Sequence, residues 1–352
     1  MTGRCESMTT DTAHGWTSLS AAVPGGGHLE RGVPCQDRAA AWAAPRPCGI
    51  VLDGRGSARR SHDGAEAAIT ALRQRLLELE TELAQCLDRD DPALARVAWK
   101  GVASQLYCTA AREQRRLSEA SGLPAGEFEF TLSLTVSGRI STGWMCVGDS
   151  PIVVQRAGVL AMPFCQTGGS FANQTHFVQA RPDGPLNLHG GIFSSTGLEA
   201  VLLMSDGTAA KFIDQTAQVP AEANRQLADL LATGDLNNGN LTSMLEAEHW
   251  SQTTRDDRSL AILVPLLQNT SMPMPPSDSE DTESACENDL ALREEYFDFE
   301  ILALFLLPLA IVLLAVVGWD STSVECSSHC KLATLPATVR LPANSLDDDE
   351  EA

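Results

Sequence analysis

This chain predicts an α+β fold, with helices layered on sheets, and three observations carry that reading. Short apolar or alternating runs at 16–23, 39–44 and 48–52 precede any helical pattern and read as strands. Ile69, Leu72, Leu76, Leu79, Leu83 and Leu87 then recur every three or four residues, the spacing of one face of a long helix. Strand-like runs return at 128–136, 143–147, 152–155, 200–204 and 260–266, with helical stretches at 223–231 and 241–249 before the last. Strands, a helix pair, strands, helices and a closing strand imply α+β layering around sheets.

Local signals support the order. Asp90, Asp91 and Pro92 form a helix start, with acidic caps and proline in the first turn, and the second helix runs from there to about residue 120. Gly148, Asp149, Ser150 and Pro151 make a turn that joins two strands as a hairpin. Residues 160–195 are glycine-rich and polar, and read as irregular.

The charge is unevenly spread. Residues 1–265 hold 29 acidic and 22 basic side chains, 266–300 hold 10 against 1, and 320–352 hold 7 against 2. Most of the net −21 therefore lies in two flanks rather than in the folded part. Without a basic stripe, nucleic acid is excluded as a partner. Residues 1–13 read as a disordered N-terminus, 14–267 as the catalytic domain, 268–295 as an acidic disordered linker and 320–352 as a polar acidic tail.

Between linker and tail, residues 301–319 run for 19 positions without a charge. A helix needs about 20 such residues to cross a bilayer, and it tolerates a proline such as Pro308. Tyr296, Phe297, Phe299 and Trp319 stand where an aromatic belt would lie, so 296–319 is read as a single transmembrane helix. The polar N-terminus has no apolar signal-peptide core, which keeps the catalytic domain in the cytoplasm. The cysteines show no paired spacing before the anchor and read as small apolar fillers.

Four acidic motifs punctuate the first 260 residues: Gln36-Asp37, Asp53-Gly54-Arg55-Gly56, Ser205-Asp206-Gly207 and Asp256-Asp257-Arg258-Ser259. Most sit at one end of an apolar run, where a carboxylate is rigidly placed at a sheet edge. Aspartates converging there would repel one another unless a cation stood between them. The spacing thus outlines a metal site assembled from distant segments.

The order of these motifs resembles the metal-dependent type 2C (PPM) protein serine/threonine phosphatases, and most closely their bacterial branch. The resemblance runs from Gly27-His28 and Pro34-Cys35-Gln36-Asp37 through Asp53-Gly54 and Phe130-Thr131-Leu132. It continues through Gly148-Asp149-Ser150 and Ser205-Asp206-Gly207 to Asp256-Asp257-Arg258-Ser259, covering about residues 14–266. It implies a β-sandwich flanked by helix pairs, with a metal site at one end, and phosphorylated proteins as partners alongside a cognate serine/threonine kinase. Asp37, Asp53, Asp206 and Asp256 are then the catalytic residues. With the Gly54 carbonyl they hold Mg²⁺ or Mn²⁺, two ions clamping phosphoryl oxygens and activating water as hydroxide.

Some positions depart from the family pattern. Relatives place a histidine after Asp-Gly, where this chain has Arg55, which binds phosphate but cannot donate a proton near neutral pH. His28, Arg31 and Arg55 are the candidate phosphate contacts. Gln36 replaces a metal-associated glutamate, and a third ion would need an acid near Gly126 or Glu127. Asp149 reads as a turn residue, and Asp256 rather than Asp257 as the ligand. These departures sustain an alternative, a catalytically weak phosphoprotein-binding pseudophosphatase.

Overall fold

The computed structural model describes residues 11–13, 15–164, 175–180, 187–214, 216–266 and 296–298. Two six-stranded sheets face each other. The first has the order β1 (Asp11–Ala13), β2 (Trp16–Val23), β13 (Arg258–Pro265), β10 (Leu198–Met204), β7 (Ile152–Arg156) and β8 (Val159–Ala161). The second runs β14 (Tyr296–Asp298), β9 (His189–Ser194), β6 (Ser141–Val147), β5 (Leu132–Ser137), β4 (Cys48–Leu52) and β3 (Arg38–Trp42). Neighbours pair antiparallel throughout.

Period-two alternation divides each strand between two cores. Val51, Trp144, Val154, Val201, Leu203, Ala261 and Leu263 fill the space between the sheets. Their neighbours Cys48, Ile50 and Leu52 turn outward, onto a layer of α2 (Ser61–Glu78), α3 (Glu80–Leu87) and α4 (Pro92–Ser121). On the other sheet Ala200, Leu202, Met204, Leu260 and Ile262 turn outward. They meet α5 (Asp206–Phe212), α6 (Ala223–Thr233) and α7 (Asn238–Glu246). Cys48, Cys86 and Cys146 are buried among these apolar clusters, as the filler reading expects.

The expected helix pair is present, with one change. The stripe from Ile69 to Leu87 is not one helix but two, interrupted at Leu79. Leu72, Leu76, Leu79, Leu83 and Leu87 all stay buried, so the break does not expose the stripe. Helix α4 starts as read: the Asp91 carboxylate accepts from the amides of Ala93 and Leu94, and Gly122 ends the helix at φ 70°. The expected strand 128–136 begins only at Leu132, because Ala125–Phe128 form a 3₁₀ turn. Two short helices were not legible, α1 (Gly26–Arg31) and α5. Part of the stretch read as irregular, 160–195, is ordered into the end of β8 and into β9.

Tyr296–Asp298 correct the expected start of the transmembrane helix. Their backbone is a strand antiparallel to His189–Gly191, so it occupies the exposed edge of β9 and is not helical at 296. Among the described residues no helix is long and apolar enough to cross a membrane. The apolar run 301–319, the linker 268–295 and the tail 320–352 lie outside the described residues.

Candidate active site

The acidic motifs arrive at one end of the sandwich because antiparallel pairing brings them there. Asp53 follows the last residue of β4, and Asp37 precedes the first of β3, its partner across the Arg38–Leu52 pair. Asp206 follows β10 and Asp256 precedes β13, partners across Met204–Leu260. One sheet contributes two carboxylates and the facing sheet the other two.

Their electrostatics show how close they come. Loss of hydration pushes the Asp53 carboxyl well above the usual range, and the charges of Asp37, Asp206 and Asp256 push it further. Burial raises Asp37 in the same way, helped by Asp257 and Asp206, with the Ser205 and Ser259 hydroxyls partly opposing. Asp206 lies at the exposed rim, yet it too is raised, by desolvation and then by Asp256 and Asp149. The mutual influence of Asp53 and Asp206 places the two carboxyl groups side by side.

Asp37 is 1% exposed, and among the described residues its Oδ2 has no hydrogen-bond partner. A buried, unpartnered carboxylate oxygen facing other carboxylates fits a hard divalent ion, and oxygen donors of this kind suit Mg²⁺ or Mn²⁺. Among the described residues no three His, Cys, Asp or Glu side chains stand close enough together to hold a metal ion by themselves.

Glycine makes the approach of the loops possible. A Cβ on Gly54 would stand 2.7 Å from the Gln36 carbonyl oxygen, and one on Gly207 would stand 2.0 Å from that of Asp257. Gln36 is itself buried, its Nε2 donating to the Ala58 carbonyl at 2.9 Å. Its carbonyl oxygen and Cβ pack against Gly54 and brace the Asp53-Gly54 turn. The Cys35 thiol is pushed far up by burial and by Asp37 and Asp257, so it stays protonated and is no nucleophile.

The candidate phosphate contacts fare differently from the aspartates. His28 is 3% exposed, and its Nδ1 lies 2.7 Å from Asp257 Oδ2, though not along a well-aligned N–H axis. Turned to a buried carboxylate, it is not available to phosphate, which corrects that expectation. Arg31 is exposed and its Nε donates to the Gly27 carbonyl at 2.9 Å, within its own short helix. Arg55 is held by Glu129, Nη1 to Oε2 at 2.7 Å, and by the Ser57 hydroxyl at 2.9 Å, and it stacks over Phe177. Glu127 accepts from the Arg59 amide at 2.8 Å, which commits it to the approach of α2.

Two acids were underrated by the sequence. Asp149 accepts from Thr175 Oγ1 at 2.8 Å, yet its charge also reaches Asp206, which places it beside the cluster. Asp257 is 2% exposed and gathers the Gly25 amide at 2.7 Å, the Gln36 amide at 2.5 Å and His28. Asp256 next to it is exposed, its Oδ1 accepting from the Asp257 amide at 2.9 Å. Of the two, Asp256 is open and Asp257 is inward.

Residues 24–246 match the profile of the family described as Protein phosphatase 2C. The chain is 27% identical to "Serine/threonine-protein phosphatase 3" of Escherichia coli K12 over 266 residues, 70% of this chain and 97% of that one. Among solved structures it is similar to a bacterial serine phosphatase, with TM-score 0.49 and 12% identity over 70% of this chain and 97% of that one. Serine/threonine phosphatase Stp1 from Staphylococcus aureus gives TM-score 0.45 and 11% identity, over 75% and 99%. The profile spans well over half the chain, the relative is matched over nearly its whole length, and the acidic motifs of the fold lie at one sheet end. The chain therefore belongs to the protein phosphatase 2C family, and its class is that of the metal-dependent serine/threonine protein phosphatases.

Proposed function

We propose that this chain hydrolyses phosphoserine and phosphothreonine in proteins with a pair of Mg²⁺ or Mn²⁺ ions, while tethered to a membrane through residues 301–319. The carrying observation is the convergence of Asp37, Asp53 and Asp206 at one sheet end, each carboxyl raised first by burial and then by neighbouring carboxylates, around an unpartnered oxygen of Asp37. Asp53 and the Gly54 carbonyl would serve both ions, Asp37 one of them, and Asp206 and Asp256 the other. When bound, such ions neutralise phosphoryl oxygens and lower the pKa of water toward neutrality.

The chain's own groups determine the rest. Asp257 and Gln36 hold the loops, and Arg55, committed to Glu129, supplies positive charge near the entrance but no proton. His28 is turned to Asp257, so the proton for the leaving alkoxide comes from solvent in this reading. The purified full chain should release phosphate from a phosphothreonine peptide with Mn²⁺ and stop on addition of EDTA. Metal-independent turnover would sink the metal assignment.

The tether reading is supported by the 19 uncharged residues at 301–319, with the catalytic domain on the cytoplasmic side. Confinement near a bilayer raises the effective concentration toward membrane-bound phosphoproteins, including a cognate receptor-type kinase. The full chain should sediment with membranes and resist extraction by alkaline carbonate. Recovery in the supernatant would end this part of the proposal.

A second reading has one observation in its favour. Arg55 stands where relatives carry a histidine, and it is tied to Glu129. A pseudophosphatase of this kind would bind phosphopeptide tightly in calorimetry and show no turnover with either metal.

A further inference from the structure

Asp257 is the point where three of the four ligand loops are tied together. Its Oδ1 accepts from the Gly25 amide at 2.7 Å and its Oδ2 from the Gln36 amide at 2.5 Å. These donors stand at the two ends of the segment that carries α1, and His28, from the middle of that segment, brings Nδ1 to 2.7 Å from Oδ2. One buried carboxylate thus closes the loop that delivers Asp37. Its own backbone serves the other two. The Asp257 amide donates to Asp256 Oδ1 at 2.9 Å, and its carbonyl oxygen stands where a Cβ on Gly207, next to Asp206, would lie 2.0 Å away.

Packing around this point is tight from the side of α1 as well. A Cβ on Gly25 would stand 2.1 Å from the Asp256 carbonyl oxygen, and the Gly27 amide donates to the Arg255 carbonyl at 2.9 Å. The segment before Asp37 and the segment holding Asp256 therefore move as one body. A buried carboxylate so close to Asp37 adds negative charge where negative charge is already crowded. The His28 imidazole packs against that carboxylate, Nδ1 at 2.7 Å from Oδ2, and limits where it can move.

We propose that His28 and Asp257 are a positioning pair that presets the spacing of Asp37 from Asp256 and so sets how tightly the site takes divalent ions. This rests on the metal-dependent reading above. Neither residue touches substrate. They act as the outer partners of metal ligands do, orienting the groups that bind.

The test is equilibrium Mn²⁺ binding to the purified full chain, read by electron paramagnetic resonance of the free ion, beside thermal melting of the same samples without metal. His28→Ala should weaken Mn²⁺ binding by about 10–100-fold, the range for loss of an outer-sphere partner. His28→Asn, which places an amide donor where Nδ1 stands, should recover most of that loss. If the alanine variant does not fold, His28→Gln, which keeps bulk but carries its donor to a different reach, makes the same comparison with asparagine. A lowered melting temperature with unchanged Mn²⁺ affinity would make the pair structural only and overturn the proposal. Equal affinities in the alanine and asparagine variants, both weakened, would overturn it as well. Wild-type protein that binds no Mn²⁺ would instead remove the metal reading on which the pair depends.

Discussion

Glu80 and Asp88 meet around the guanidinium of Arg46, at 2.8 and 2.7 Å, whereas Asp37, Asp53, Asp206 and Asp256 meet around one another. Both places gather carboxylates, and in each at least one of them has lost part of its hydration. Burial pushes Asp88 upward, but the hydrogen bond from Arg46, the amide of Arg139 and the nearby positive charges outweigh it, and its pKa ends below the usual value. At the sheet end neighbouring carboxylates reinforce burial, and the Ser205 and Ser259 hydroxyls only partly oppose it at Asp37, so Asp53 and Asp37 end well above it. Among the described residues none of those four carboxylates forms an ion pair with lysine or arginine. The difference teaches what kind of site each is. One cluster carries its cation in the sequence, and the other has left that place to an ion from solution.

The largest effect that could break this comparison belongs to Asp53. Asp53→Asn should lower Mn²⁺-supported phosphatase activity by about 10³-fold or more, the scale for losing a group that stabilises transition-state charge. The same change should raise the melting temperature of the metal-free protein, because one mutually repelling carboxyl is gone. Activity within tenfold of wild type would show that the cluster is not the reacting centre.

Metal itself should come next. Mn²⁺ at about a hundred times its dissociation constant stabilises by about 2.7 kcal/mol, which corresponds to about 5–10 °C for a domain of this size. EDTA should reverse the shift. An unchanged melting curve over millimolar Mn²⁺ would show that these carboxylates tolerate their own crowding without an ion.

Arg46→Met is the mirror experiment. Its side chain is 12% exposed, against 24% for Asp88 and 43% for Glu80, so the Asp88 partnership carries most of the weight. Removing it should cost about 1–3 kcal/mol in urea unfolding and leave Mn²⁺ affinity untouched. Were Mn²⁺ affinity to fall in step with stability, the two clusters would not be independent.

Acid should act on them with opposite signs. Asp53 and Asp37 have raised values when folded, so between the ordinary carboxylate value and the folded one the native state holds more protons. Their contribution to metal-free stability is therefore fully present below the ordinary value and lost as pH rises through the folded one. Asp88 is lowered, so its contribution is present above the ordinary value of 3.8 and lost as pH falls through the folded one. In EDTA, unfolding free energy should decline as pH rises above the ordinary carboxylate range, and Asp53→Asn should flatten that slope. A slope that survives the substitution unchanged would place its origin elsewhere.

Much of this was legible in the sequence, and the limits are physical. Continuous apolar runs gave β10 and β13 because both of their faces are buried, and the aspartates stood out because most of them end or precede such a run. Periodicity could not show that Leu79 interrupts the stripe, since a break that keeps every leucine inward leaves the spacing intact. Nor could it show that His28 meets Asp257, because that contact joins loops far apart in the chain and neither residue carries a period. Arg55 read as a phosphate contact because arginine binds phosphate and stands where relatives place a histidine, but Glu129, two residues before Thr131, holds it. The aromatic residues at 296 and 297 suggested a helix entering a bilayer, while the open edge of β9 offered hydrogen bonds to the same backbone.

Arg31 gives the smallest effect and the sharpest limit on the comparison. If the protein supplied a cation of its own at the acidic end, an exposed arginine preceding Asp37 would be a natural source. Its Nε instead donates to the Gly27 carbonyl within α1, an exposed contact at the helix's last residue. Exposed contacts of this sort change stability by less than about 0.5 kcal/mol, so Arg31→Ala should melt within about 2 °C of wild type. Mn²⁺ affinity is the decisive readout. A guanidinium competing with the ion would oppose binding, and its removal would tighten Mn²⁺ severalfold, whereas an arginine that only caps a turn would leave affinity unchanged. We expect no change in affinity and a KM for phosphopeptide within about threefold of wild type, since surface charges act weakly and through screening. Tighter Mn²⁺ binding in Arg31→Ala would mean that the acidic end, like the Arg46 cluster, has a cation from its own chain.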